Sequence, residues 1–409
     1  MSEISTRPAI RDGRARGLLT RWWVKVTAIF IASRAVSTVL LLIFAGLQGA
    51  NPWTAAHPGY FDFASIWDGR WYDIVAGSGY PTRLQYDAAG HVEQNAWAFL
   101  PGYPWMVAVV MFATRLPWNI AAVAISVAFG LGTALLLYRL FRLRLGRSTS
   151  LFAVALYCVA PTAPLLQLAY AESMYLFFIV LALYLLLRRS YWWILPVVAV
   201  MSFVRPGSLA FALALGLHVI YRWAVRKRDP FPLADRVASV TATIVSGVMG
   251  FAWPAIAAVA TGSLTAYTDT ELSWRADYIG YGALVPFAPW IDGAHWWFST
   301  WLGLPDWVGY TVLGLVLALF AVCMFMPAVK RLGVDLRFWV VAYAVYLLAV
   351  FFPQSSTFRL LMPLFPLLGA LALPRNAVYR TGLIVLFVAG QIGWLLICWG
   401  VDGADWSPP

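Results

Sequence analysis

Residues 24–47 read VKVTAIFIASRAVSTVLLLIFAGL. As a helix this run is long enough to cross the ~30 Å hydrocarbon core of a bilayer. A secretory signal peptide has a shorter apolar stretch and a small-residue cleavage site. The run is therefore read as a transmembrane helix kept in the mature protein, behind a basic, cytoplasmic N-terminal segment at 1–23. Similar runs recur near 118–138, 150–166, 171–187, 191–204, 207–221, 237–261, 306–328, 338–353, 358–373 and 381–400. These make about eleven spans by the ~20-residue criterion, some of them short. A twelfth run, 97–114, is broken early by Pro101 and Pro104.

Composition agrees. Of the 409 residues, 62% are hydrophobic and 11% charged, against about 25% charged in a soluble domain. Mean hydropathy is +0.74. The expected fold is an all-α polytopic membrane protein, one integral domain over 1–409 with about 11–12 helices. Most of the 22 tryptophans suit the interface belts at headgroup level.

The net charge of +11 does not point to nucleic acid, because of where the charges lie. Twenty-two of the 29 Lys and Arg fall in six segments: Arg7 to Lys25, Arg139 to Arg147, Arg188 and Arg189, Arg222 to Arg236, Lys330 to Arg337, and Arg375 with Arg380. Only Glu3, Asp12, Asp229, Asp235 and Asp335 accompany them, so these segments carry +17. The alternate segments hold six Arg against thirteen acids, or −7, and Arg34 lies inside the first span. This is the positive-inside pattern. It puts the N-terminus in the cytoplasm and the C-terminus outside. It also favours 97–114 as a re-entrant or shallow helix, since a full span there would put the Arg139–Arg147 loop outside. Cys158, Cys323 and Cys398 all lie in apolar runs and read as small buried hydrophobes. The four histidines show no metal-binding spacing.

Two external segments are long, 48–96 and 262–305, and rich in Trp, Tyr, Gly and Pro, as suits short interfacial helices. The first contains Ile66-Trp67-Asp68-Gly69-Arg70-Trp71-Tyr72-Asp73. A carboxylate held between tryptophans beside a bilayer suits a general base. It could equally pair with Arg70 or cap an interfacial helix. Further external marks are Phe99-Leu100-Pro101-Gly102-Tyr103-Pro104, Tyr170-Ala171-Glu172-Ser173, Arg205-Pro206-Gly207, Ser355-Ser356-Thr357-Phe358-Arg359, and Arg275 in the second segment. Glu172 could favour a helix N-terminus or bind sugar hydroxyls. External arginines are scarce, and guanidinium grips phosphate oxygens bidentately. A lipid-linked phosphate is a fitting ligand, and headgroup contact or pairing with external carboxylates is the competing reading.

Taken in order, these marks resemble the PIG-V type of mannosyltransferase and its bacterial relatives, within the GT-C class of polytopic glycosyltransferases. The likeness runs from the first helix to about residue 370. It includes Gly79-Tyr80-Pro81, the 270–275 segment, and Pro363-Leu364-Phe365-Pro366 after Arg359. It departs from the eukaryotic members where Trp71 and Tyr72 follow the Trp-Asp pair in place of a histidine. The resemblance implies a polyprenyl-phosphate mannose donor, a lipid-linked or glycolipid acceptor, inverting transfer at the external face, and a bacterial plasma membrane. It implies Asp68 as base, Arg205, Arg359 and Arg275 on the donor phosphate, and Glu172, Ser173, Trp67, Arg70 and Tyr103 around sugar or acceptor. No metal or other cofactor is implied. Two other readings stay open. A transporter or flippase for lipid-linked sugars fits the spans and arginines, but it gives Asp68 no task and ordinarily goes with internal repeats, which are not evident here. The same architecture could also carry glucose or arabinose.

Overall fold

The computed structural model describes residues 21–400 apart from 283 and 355. Most of the basic N-terminal segment, Ser355 and the C-terminal residues lie outside the described residues. The described chain is helical throughout, with a single isolated bridge between Tyr86 and Val92.

The longer helices are α1 (Trp22–Leu47), α2 (Asp68–Ser78), α3 (Gly102–Thr114), α4 (Trp118–Arg142), α5 (Arg147–Val159), α6 (Glu172–Leu187), α7 (Ile194–Ser202) and α8 (Ser208–Ala224). They continue with α9 (Leu233–Met249), α10 (Ala252–Thr261), α11 (Ala266–Ser273), α12 (Ala288–His295), α13 (Asp306–Phe325), α14 (Val334–Val350), α15 (Pro366–Leu371) and α16 (Ala377–Cys398). Helices α1, α4, α13 and α16, and α9 joined to α10, are long and apolar enough to cross a membrane. The shorter apolar helices α5 to α8 pack among them, with α14 and the six-residue α15.

The core forms where α4 packs along α6, with Leu137, Phe141, Ile179 and Leu183 fully buried. Small residues set the close approaches there. A side chain on Gly130 would sit 3.1 Å from the Phe30 ring, and one on Gly132 3.1 Å from Phe177. Helix α13 is the opposite case. Only 11% of its apolar window is buried, and Leu315, Leu319 and Val322 point outward, as suits a surface solvated by acyl chains.

Contacts between loops define the two ends. At the basic end Arg189 and Arg222 pair with Asp229, and Arg144 lies 3.9 Å from Asp335. Buried His218 bridges Asp335 (2.7 Å) and the Tyr191 hydroxyl (2.9 Å). At the other end Asn119 donates to Asp62 (2.8 Å) and Asn95 to Thr270 (2.9 Å). Helix α3 belongs wholly to this second end. Its 13 residues reach about 20 Å. Its first residue rests on Phe203, and it ends just before α4, whose start is tied to Asp62.

Arg34 neither snorkels nor meets a carboxylate. It donates to the carbonyls of Cys158 (2.7 Å) and Ala163 (2.6 Å) and to Gln167 Oε1 (3.1 Å). The last carbonyls of a helix have no intrahelical partner. A guanidinium at the end of α5 therefore satisfies acceptors that a bilayer would leave bare.

Candidate active site

Four segments, far apart in sequence, deliver charge to one place at the end of the bundle away from the basic loops. Asp68 is the first residue of α2, and Trp67 before it has φ 58° and ψ −123°. Positive φ on tryptophan is strained backbone. It is held by the indole N–H donating to the Cys398 carbonyl (2.8 Å) and by packing on Trp53. The backbone N–H of Asp68 donates to the Tyr170 hydroxyl (3.2 Å). Glu172 opens α6, where the positive helix end favours a carboxylate.

Arg205 precedes α8 in a turn that only glycine can complete. A Cβ on Gly207 would lie 1.7 Å from the Tyr175 hydroxyl oxygen, which donates to the Pro206 carbonyl (3.2 Å). The proline-rich segment braces the same turn. The Gly102 N–H donates to the Phe203 carbonyl (2.6 Å), and a Cβ on Gly102 would meet that oxygen at 2.7 Å. Arg359 comes from the short helix 357–360.

The four side chains form an alternating row. Arg205 Nη1 donates to Glu172 Oε1 at 2.6 Å. Arg359 Nη1 lies 3.5 Å from the same oxygen and donates to Asp68 Oδ2. Asp68 and Glu172 are buried, at 9% and 4% exposure, so neither charge is carried by water. Buried charges persist only when paired. Burial alone would lower the Arg205 guanidinium, but Glu172, Tyr72 and Asp68 together outweigh it and hold the arginine above its ordinary value. Arg359 is likewise raised, with burial opposed chiefly by Asp68. Tyr170 lies under Arg359, 5.7 Å from ring centre to guanidinium carbon. Its phenol is raised well above the ordinary value by burial and then by the Asp68 charge, so it stays protonated.

Several buried polar atoms here have no partner: Glu172 Oε2, Arg359 Nε, the hydroxyls of Ser173 and Thr357, and the Trp274 indole N–H. Buried polar groups are nearly always satisfied, so this set marks where a polar ligand would find donors and acceptors. Beside it stands an aromatic wall. Trp71 stacks on Phe99 (5.4 Å, 5° between planes) and meets Trp274 edge-on, and Tyr72 meets Phe99 and Tyr103 edge-on.

The structure thus brings together Asp68, Glu172, Arg205 and Arg359, with Trp67 and Ser173 next to them in the chain. Arg275 and Arg70 make their polar contacts elsewhere, and Tyr103 reaches the aromatic wall only by its ring. Arg275 donates to the Val350 carbonyl (2.7 Å) and pairs with Glu271 (3.3 Å), fastening the second external segment to the end of α14. Arg70 is exposed, does not pair with Asp68, and donates to the Trp53 carbonyl. Tyr103 is fully buried, with its hydroxyl engaged by the Ala122 carbonyl (2.9 Å) and Ser126 (3.0 Å). Tyr170, Tyr72 and Trp274 enter the site without having been singled out. Tyr170 was visible as the first residue of its motif. Among the described residues no three His, Cys, Asp or Glu side chains gather as a metal site.

No protein-family model matches the chain, and no curated protein matches it. Among solved structures it is similar to ArnT from Cupriavidus metallidurans in the apo state, at 15% identity over 88% of this chain and 62% of that one, with a TM-score of 0.46. It is also similar to the Archaeoglobus fulgidus oligosaccharyltransferase tethered to an acceptor peptide, at 12% identity over 92% of this chain and 55% of that one (TM-score 0.43). A third is archaeal AglB from the same organism, in complex with an inhibitory peptide and a dolichol-phosphate, at 12% identity over 91% and 55% (TM-score 0.41). The chain therefore spans less than two thirds of the length of each of these structures.

Proposed function

We propose that this chain is a GT-C glycosyltransferase of the PIG-V type. It moves a mannosyl residue from a polyprenyl-phosphate donor to a lipid-linked or glycolipid acceptor. The observation that carries this reading is the buried row Arg205–Glu172–Arg359–Asp68, which combines a candidate base with two phosphate-gripping cations at one end of an apolar bundle. The order of sequence marks supplies the sugar and the donor class.

In this reading the acceptor hydroxyl attacks the anomeric carbon of a β-linked donor. Its proton passes to Asp68, the bond from that carbon to the phosphate oxygen breaks, and an α-mannoside forms. The departing phosphate takes the electron pair, and Arg205 and Arg359 stabilise the charge that grows on it. Arg359 is held by Asp68 before substrate arrives. Donor phosphate would draw the guanidinium away and free the carboxylate to act as base. Glu172 orients sugar hydroxyls through Oε2, and the Trp71–Trp274 wall suits the apolar face of a sugar ring. The acidic loops carrying the site would face outward and the basic loops the cytoplasm, in a bacterial plasma membrane.

The test is transfer of radiolabelled mannose from synthetic polyprenyl-phosphate mannose to membrane lipids, by purified wild type and Asp68→Asn. Label moved by wild type alone is the expected result. Transfer by both proteins removes Asp68 from its role. Transfer by neither, with polyprenyl phosphate still bound, turns the reading to another sugar or to a flippase.

A further inference from the structure

At the end of the bundle opposite the Asp68 row, the start of α1, α5 and α16 enclose a groove of about 650 Å³. Among the described residues, three cations line it, Lys25, Arg147 and Arg380, and no carboxylate does. Arg380 is set in place by donating to the Pro374 carbonyl (2.9 Å), the Ala372 carbonyl (3.2 Å) and the Ser148 hydroxyl (3.1 Å), with its guanidinium 4.5 Å from the Phe152 ring centre. Helix α5 begins in the same groove with neither a side-chain cap nor an acidic residue in its first turn.

The groove changes character along its length. Ser148, Leu151, Phe152 and Ala155 follow one another at helical spacing on α5, and Ile29 faces them from α1. The cations lie at the outer end of this face and the apolar side chains lead inward along the helix. A soluble anion would use only the first part. A molecule with an anionic head and an alkyl chain would use both.

We infer that this groove binds an anionic phospholipid, with its phosphate among Lys25, Arg147 and Arg380 and an acyl chain along Leu151, Phe152 and Ile29. Basic pockets between membrane helices are suited to such headgroups, and each cation near an anionic lipid surface strengthens binding about fivefold. The site is separate from the proposed transfer site and does not depend on that reading.

The test uses the full chain in neutral detergent micelles with dioleoyl phosphatidylglycerol and dioleoyl phosphatidylcholine in equal amounts. Retained lipid is counted by native mass spectrometry. Wild type is expected to retain phosphatidylglycerol in preference, and the double variant K25Q/R147Q to bind it on the order of 25-fold more weakly. Ser148→Glu supplies a second arm. A carboxylate in the first turn of α5 favours the helix while occupying the anion's place. Preference should vanish in this variant with no fall in melting temperature. Equal retention of the two lipids by wild type, or unchanged preference in both variants, would overturn the proposal. So would displacement of phosphatidylglycerol by inorganic phosphate at similar concentration, because the occupant would then be a soluble anion.

Discussion

Replacing Asp68 by Asn should make the protein bind polyprenyl phosphate more tightly while ending transfer. Arg359 is shared between Asp68 and Glu172 in the structure. A phosphate that takes Nη1 of this guanidinium must displace the Asp68 carboxylate from it. A hydrogen bond to a charged group contributes about 1.5–3 kcal/mol. Removing the competitor should therefore tighten phosphate binding by roughly 10- to 150-fold at most. The neutral row would also gain one net positive charge, which acts in the same direction. The assay is a titration of polyprenyl phosphate into purified protein at fixed ionic strength, read by intrinsic tryptophan fluorescence. Asp73→Asn is the control. Asp73 is half-buried, its field partner is Arg70, and it changes the net charge equally without touching Arg359. It should leave affinity within about twofold, as expected of a partly screened charge. The competition argument fails if Asp68→Asn, still folded by its melting temperature, binds phosphate no more tightly than wild type. It also fails if Asp73→Asn tightens binding as much.

Other expectations follow from the geometry. Gly207→Ala should destabilise by about 1–3 kcal/mol through overpacking against Tyr175. Adding Tyr175→Phe should recover part of that loss, whereas strictly additive melting shifts would show the contact is not the cause. Arg205→Gln should lower transfer by about 100-fold or more, as loss of a transition-state charge partner does. Arg275→Gln should cost less than about tenfold, because its bonds serve the loop; equal losses in initial rate would put Arg275 back in the phosphate grip. Arg34→Lys should lower the melting temperature, since a single ammonium nitrogen lacks the planar fork whose two nitrogens reach Cys158, Ala163 and Gln167 together. An unchanged transition would mean those carbonyls find other partners.

The helices were legible because lipid imposes a simple rule: a spanning segment must be apolar and satisfy its own backbone. Charge then sorted the loops and favoured α3 as a helix that does not cross, and its two ends lie near Phe203 and Asp62. Asp68, Glu172, Arg205 and Arg359 were each legible as charges out of place at the ends of apolar runs. Their pairing was not. Asp68 and Arg359 lie 291 residues apart, and no local pattern encodes which external charge meets which. For the same reason Arg275 looked equivalent to Arg205, although a neighbouring Glu271 and the Val350 carbonyl claim it. Tyr103 looked like a ligand-facing aromatic because its motif is broken by two prolines and a glycine. Its hydroxyl is instead taken up one turn into α4, at Ala122 and Ser126.

The strained Trp67 is latched to Cys398, and Trp399 in turn donates to the Phe63 carbonyl (3.1 Å). The 48–67 loop therefore takes its final form only against the end of α16. During synthesis the Asp68 loop emerges well before α16 and must wait while the helices between them are threaded into the bilayer. A chain stalled or clipped before α16 would hold every charge of the row and still lack the latch that sets Asp68. Synthesis through α16 is thereby built in as a precondition for the ordered geometry of Asp68.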